Sequence, residues 1–246
     1  MLSKNTKNKS ISSDNKADDK LFITRKRKKY KFAKYDELDN TYQFDDWNND
    51  TFANLKGDDQ DRRVIVEVGA GTGLFSVELA KRHPENIYIA IDIKSDRLYT
   101  GAKLANELGL KNIVFIRSDI WRLKELFNEN SISEIWITFP DPYANEDQTK
   151  LKKSDAKHRL THPRFLDLYK TILTDDGSAK LNFKTDNKPL FEWSKEQIEQ
   201  SGWRINEVTN DLHESNLGED YKIKTSYEER FTAEGLVIHL LTAKIE

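Results

Sequence analysis

The chain of 246 residues carries 40 Lys and Arg against 42 Asp and Glu, a formal net charge of −2, and no cysteine. That length buries one substantial core, so a single domain with a tail is expected; the missing cysteines exclude a disulfide framework and a cysteine-based metal site. No apolar run has the length of a membrane span and no hydrophobic segment follows the basic start as in a signal peptide, so a cytoplasmic protein away from the membrane is the expectation.

Residues 1–20 are Ser, Lys, Asn and Asp with almost nothing apolar, and a disordered tail is placed over 1–24. A basic arm follows, Arg25, Lys26, Arg27, Lys28, Lys29 and Lys31 beside Tyr30 and Phe32. Cations next to aromatic rings suit phosphate neutralisation with base or sugar stacking; a solvated basic tail has the same composition. Residues 36–61 turn acidic and carry Tyr42, Phe44, Trp47 and Phe52. These rings are expected to pack the 25–60 extension onto the main domain at 61–246, because isolated exposed aromatics are unfavourable.

The main domain opens on Val64, Ile65, Val66, Glu67 and Val68, which lead into Gly69, Gly71 and Gly73 and then an apolar helical pattern from Leu74. The pattern predicts a strand, a tight glycine turn and a helix start, where the backbone approaches a ligand closely and unpaired N–H groups face it. A dinucleotide loop would place its third glycine where Leu74 stands, and Glu67 would repel a pyrophosphate. A ligand with a positive and hydroxyl-rich face, such as S-adenosylmethionine, fits better.

Further strands are predicted at 87–91, 112–116, 133–139, 178–184, 203–208 and 236–243, alternating with helices. Asp92 closes the second strand about 20 residues past the glycine turn, where doubly wound folds hold a ribose diol; helix capping is the alternative. Asp119 closes the third and could accept from an adenine amino group with Ile120 against the ring, or cap the following helix. Asp141 stands between Pro140 and Pro142 at the end of the fourth. Ligands bind outside the carboxyl ends of parallel strands, so Glu67, Asp92, Asp119 and Asp141 are expected around one crevice. Lys150, Lys152, Lys153, Lys157, His158 and Arg159 form a second basic cluster. Thr185, Asp186 and Asn187 end the fifth strand, and His239 is expected to be a pleated-strand residue. The fold class is α/β: a doubly wound, mostly parallel, seven-stranded sheet.

Glu67, the three glycines and Asp92 resemble the cofactor site of class I, Rossmann-like methyltransferases. Phe139 to Pro142, His158 to Thr161, Phe183 to Asn187 and Thr225 to Glu228, in that order, resemble motifs of the bacterial tRNA (guanine-N7-)-methyltransferase family from about residue 60 onward. The resemblance implies methyl transfer from S-adenosylmethionine to N7 of a guanosine in the tRNA variable loop. It implies a cofactor site at Glu67, Gly69, Gly71, Gly73, Asp92, Asp119, Ile120 and Asp141, with Asp141 also catalytic. Asp186, Thr225, Ser226, Tyr227 and Glu228 would contact guanosine or its tRNA. The family continues Pro-Asp-Pro with Trp-Pro-Lys-Lys, whereas Tyr143, Ala144 and Asn145 stand here in a longer loop. Counting back from Arg159 places the substrate lysine at Lys152; a rigid forward count lands on Asn145. Ser226 and Tyr227 replace the family's common Lys-Phe. The alternatives are a methyltransferase acting on an exocyclic base amino group, and a tRNA-binding module without activity.

Overall fold

The computed structural model describes residues 29–57, 59 and 61–246, with Ser226, Arg230, Phe231 and Ala233 described by backbone alone. The expected tail at 1–24 and the basic residues from Arg25 to Lys28 lie outside the described residues. Eight strands form one sheet: β1 (Thr41–Gln43), β2 (Val64–Val68), β3 (Ile87–Asp92), β4 (Ile113–Arg117), β5 (Glu134–Thr138), β6 (Lys180–Thr185), β7 (Trp203–Thr209) and β8 (His239–Ile245). Their spatial order is β1-β4-β3-β2-β5-β6-β8-β7; β1 to β6 run parallel and β8 lies antiparallel between β6 and β7.

Described helices are α1 (29–35), α2 (Asn49–Lys56), α3 (Leu74–Arg82), α4 (Ser95–Glu107), α5 (Leu123–Leu126), α6 (Pro163–Ile172), α7 (Lys188–Gln200) and α8 (Ser226–Ala233). They cover both faces of the sheet, which is why the central strands read as continuous apolar runs. Val64, Val66 and Val68 point to the face that buries α6 and α7. Ile65, Tyr88, Phe115 and Trp136 point to the face that buries α3 and α4. By the two-residue period of a strand, Glu67 and Lys184 share that second face with Ile65 and Trp136.

Two expectations about strands are corrected. The sheet has an eighth strand, β1, whose Thr41 pairs with Phe115 of β4. Three residues are too few to show a period; the buried Tyr35, whose hydroxyl donates to the Phe115 carbonyl at 2.8 Å, brings the segment to the edge. The last strand begins at His239 rather than 236, and Leu236 and Val237 are exposed. The aromatic extension packs as expected: Trp47 and Phe52 are buried, Phe127 meets both rings, and Trp47 Nε1 donates to the Leu126 carbonyl at 2.9 Å. His239 is buried in β8, stacked on Phe191. Among the described residues no helix is long and apolar enough to cross a membrane.

Candidate active site

The turn between β2 and α3 is built on left-handed backbone, with φ of 68° at Gly69, 57° at Gly71 and 68° at Gly73. The three glycines do different work. A Cβ on Gly73 would lie 2.6 Å from the Phe115 ring and one on Gly69 would lie 2.8 Å from Leu160, so these two permit close packing. A Cβ on Gly71 would meet nothing within 4 Å, so Gly71 presents bare backbone to open space. Gly101 on α4 was not singled out by sequence reasoning, yet a Cβ there would drive into the Thr72 carbonyl oxygen. The one local signal was a glycine standing inside a helical pattern, where it costs about 1 kcal/mol relative to alanine.

Asp92 braces this turn. Its Oδ2 accepts from Gly71 N and its Oδ1 from Lys94 N, both at 2.8 Å. Each carboxylate oxygen has a second lone-pair direction, which leaves capacity for a diol. Burial raises the Asp92 carboxyl above its ordinary range, against the lowering effect of those two N–H groups. Asp119 is exposed, and its Oδ1 caps the turn Ile120–Arg122 by accepting from Trp121 N at 3.1 Å. The capping role therefore holds for one of its oxygens. Ile120 is buried beside it.

Glu67 is almost fully buried at the floor of the turn, where Ser76 and Thr138 hydroxyls each donate to it at 2.6 Å. Burial pushes its carboxyl up to about 7, and the two hydroxyl bonds hold that rise in check. Neither hydroxyl was anticipated, because each is matched to Glu67 only by the fold.

A crevice with two lobes lies outside these strand ends. One lobe, 350 Å³, is lined by Asp92, Ile93, Asp119, Ile120 and Trp121 with Arg164. The other, 510 Å³, is lined by Glu67, Gly71, Thr138, Phe75, Thr225 and Tyr227. Gly69, Arg97, Phe139 and Asp141 line both, so Asp141 stands at the junction. The convergence expected of the four acidic residues is therefore present in the geometry. Arg97 was not anticipated; it lies on α4 just after Asp92, and its charge partly offsets the burial of that carboxylate.

The corner carrying Asp141 is strained, with positive φ at Phe139 (47°) and Tyr143 (50°). Beyond it, residues 144–151 fold out as a hairpin. Lys152 N donates to the Tyr143 carbonyl at 2.9 Å, Asn145 N donates to the Lys150 carbonyl at 2.8 Å, and Ala144 bridges Leu151. Asn145 Oδ1 accepts from Lys150 N at 2.9 Å, so this side chain closes the hairpin. Lys152 is exposed directly beside Tyr143, although it lines neither lobe.

Arg159 does not join the exposed cations of the second basic cluster. It is 2 % exposed, and its guanidinium donates to the carbonyls of Pro142 (2.9 Å), Tyr143 (3.3 Å) and Lys152 (2.7 Å) while lying over Trp193. It clamps the hairpin base, leaving Lys150, Lys152, Lys153, Lys157 and His158 exposed.

Thr225 and Tyr227 reach the larger lobe; the side chain of Ser226 lies outside the described set. Glu228 does not reach it. The Glu228 side chain is fully buried, 2.8 Å from Lys184 Nζ through one oxygen and 2.8 Å from His213 Nε2 through the other. Asp186 is half-buried after β6 and lines neither lobe; burial raises its carboxyl, with His239 nearby lowering it. Asn187 caps α7 by accepting from Leu190 N.

Residues 61–241 match the family model described as "Putative methyltransferase". The chain is 40% identical over 184 residues to the tRNA (guanine-N(7)-)-methyltransferase of Cytophaga hutchinsonii, covering 74% of this chain and 79% of that one. It is 37% identical over 198 residues to the protein of the same name from Porphyromonas gingivalis, covering 80% and 74% respectively. Among solved structures it resembles the 16S rRNA methyltransferase KamB, with a TM-score of 0.60 over 81% of this chain and 94% of that one. At 17% identity this last likeness is one of fold. The chain belongs to the tRNA (guanine-N(7)-)-methyltransferase family.

Proposed function

We propose that this protein transfers a methyl group from S-adenosylmethionine to N7 of a guanosine in the variable loop of tRNA, acting in the cytoplasm. One observation carries the reading: Asp141 stands where two lobes meet, one bounded by Asp92 and Asp119, the other by Glu67, Thr225 and Tyr227. The residues fit the methyl donor. Gly71 offers unobstructed backbone, Asp92 retains acceptor capacity for a ribose diol, Ile120 and Asp119 offer an apolar flank and an acceptor for adenine, and Glu67 offers a carboxylate to an ammonium. When bound, S-adenosylmethionine supplies an activated methyl group on a sulfonium.

Guanine N7 has a lone pair and no proton, so the site needs no strong general base. Its work is alignment of N7 with the methyl group, which Phe139, Thr225 and Tyr227 perform from the walls. Asp141 orients the base and stabilises the positive charge that guanine acquires. Lys152, with Lys150, Lys153 and Lys157, holds phosphates, so tRNA binding weakens with salt. Asp186 contributes from the end of β6, at the margin of the acceptor side.

Radiolabelled methyl transfer to an unmodified tRNA transcript, followed by nucleoside mapping, tests the proposal. Label is expected in N7-methylguanosine of the variable loop. Label in N6-methyladenosine would overturn it in favour of amino-group methylation, and tRNA binding without S-adenosylmethionine binding would favour an inactive module.

A further inference from the structure

Lys184 and Glu228 are buried on the α3 and α4 face of the sheet, behind the larger lobe, with side chains 0 % exposed. The Lys184 ammonium donates to the Tyr221 carbonyl at 3.0 Å and the Ile223 carbonyl at 2.9 Å, and forms an ion pair with Glu228 Oε2 at 2.8 Å. The other Glu228 oxygen meets His213 Nε2 at 2.8 Å. Unlike Glu67, which lines the larger lobe, Glu228 has a fully buried side chain and takes no part in that lining.

The same residue joins the two walls of that lobe. The Lys184 carbonyl accepts from Phe139 N at 2.8 Å, which fixes the strained corner before Asp141. Its side chain, through Glu228, fixes α8. That helix has eight residues, too few to be stable without tertiary support. Thr225 Oγ1 caps it by accepting from Glu228 N at 3.3 Å, so the cap and the anchored carboxylate lie within one turn. Across the lobe, the rings of Phe139 and Tyr227 meet with centroids 5.2 Å apart.

We propose that Lys184 and Glu228 are positioning residues for the acceptor: the buried pair ties α8 to β6 and to the Phe139 corner, so that Thr225 and Tyr227 stand as the wall that aligns the target guanine, and Glu228 itself does not touch substrate. The inference rests on the functional reading above. Removing Glu228 leaves the Lys184 ammonium without its ion-pair partner in the interior, and removing Lys184 leaves Glu228 with His213 alone, so the two should behave as a unit.

The test is a double-mutant cycle of Glu228→Gln and Lys184→Met, read as tRNA KM, kcat and S-adenosylmethionine Kd, with thermal unfolding alongside. Each single variant is expected to lower kcat/KM for tRNA by about ten- to a hundred-fold, as small misplacements of a reacting group do. Donor Kd should stay unchanged, and the double variant should be no worse than the worse single. An additive loss in the double variant would show that Glu228 acts on substrate independently and would overturn the proposal. So would wild-type kinetics in Glu228→Gln, or a loss of donor affinity equal to the loss in kcat/KM. Should Lys184→Met fail to fold, His213→Gln removes one Glu228 partner alone; a smaller loss in kcat/KM for tRNA supports the proposal and unchanged kinetics overturn it. A wild-type protein that methylates no tRNA would refute the functional reading and this inference together, whereas the additive result refutes the inference alone.

Discussion

The two sides of the crevice are built by different means. On the β2, β3 and β4 side the shape is set by backbone: left-handed glycines, and an aspartate accepting two N–H groups within its own neighbourhood. On the β5 and β6 side it is set by buried cations on distant carbonyls, Arg159 holding Pro142, Tyr143 and Lys152, and Lys184 holding Tyr221 and Ile223. The first construction varies little without breaking the fold. In the second, the Arg159 clamp joins the two ends of the 144–151 hairpin, Tyr143 and Lys152, whatever the hairpin does beyond them. A methyl donor is one invariant small molecule and suits the first; an RNA acceptor suits the second.

The largest expected effect falls where the sides meet. Asp141→Ala should lower methyl transfer by about a hundred-fold or more, the scale for removing one preorganised electrostatic group, with the melting temperature unchanged. Wild-type rates would break the comparison at its junction. Next, Arg159→Met removes three charge-assisted hydrogen bonds and should destabilise the protein by about 3 kcal/mol, measured by denaturant unfolding. Its kcat/KM for tRNA should fall while donor affinity stays intact; a primary loss of donor affinity would erase the distinction between the two sides.

Glu67 gives a pH test of the donor side. Its carboxyl is pushed up to about 7 in the folded chain, from an ordinary value of 4.5. Between those values the folded protein keeps a proton that the unfolded chain has lost, so stability falls as pH rises through the window. A cationic ligand favours the carboxylate, so S-adenosylmethionine affinity should rise by up to about ten-fold per pH unit below 7 and level off above it. Calorimetric titration from pH 5.5 to about 8 reads this profile, and Glu67→Gln should flatten it. The smallest effect separates two lysine registers: Lys152→Ala should raise tRNA KM by a few-fold and reduce the salt slope by about one, with Asn145→Ala closer to wild type. The reverse order would place the tRNA contact at Asn145.

Much of the β2, β3 and β4 side was legible because its determinants are adjacent in sequence. Glycines at alternate positions after a strand, with an acidic residue closing the next strand, specify a turn and its brace through short-range geometry. The β5 and β6 side was legible only in part. Arg159 and Glu228 look like surface charges in their own neighbourhoods, and only their distant carbonyl, ammonium and imidazole partners show that they are buried.

The chain by itself determined the alternation of strands and helices, the two apolar faces of the central strands, the glycine turn, and the acidic residues at the strand ends. Tertiary structure alone decided the edge strand Thr41–Gln43, the seating of α4 against Thr72 through Gly101, the hairpin that returns Lys152 to Tyr143, and the burial of Lys184 with Glu228. The physical reason is range. Periodicity and turn chemistry act over a few residues and are written in local sequence, whereas a buried charge is defined by a partner that only the folded chain brings within 3 Å.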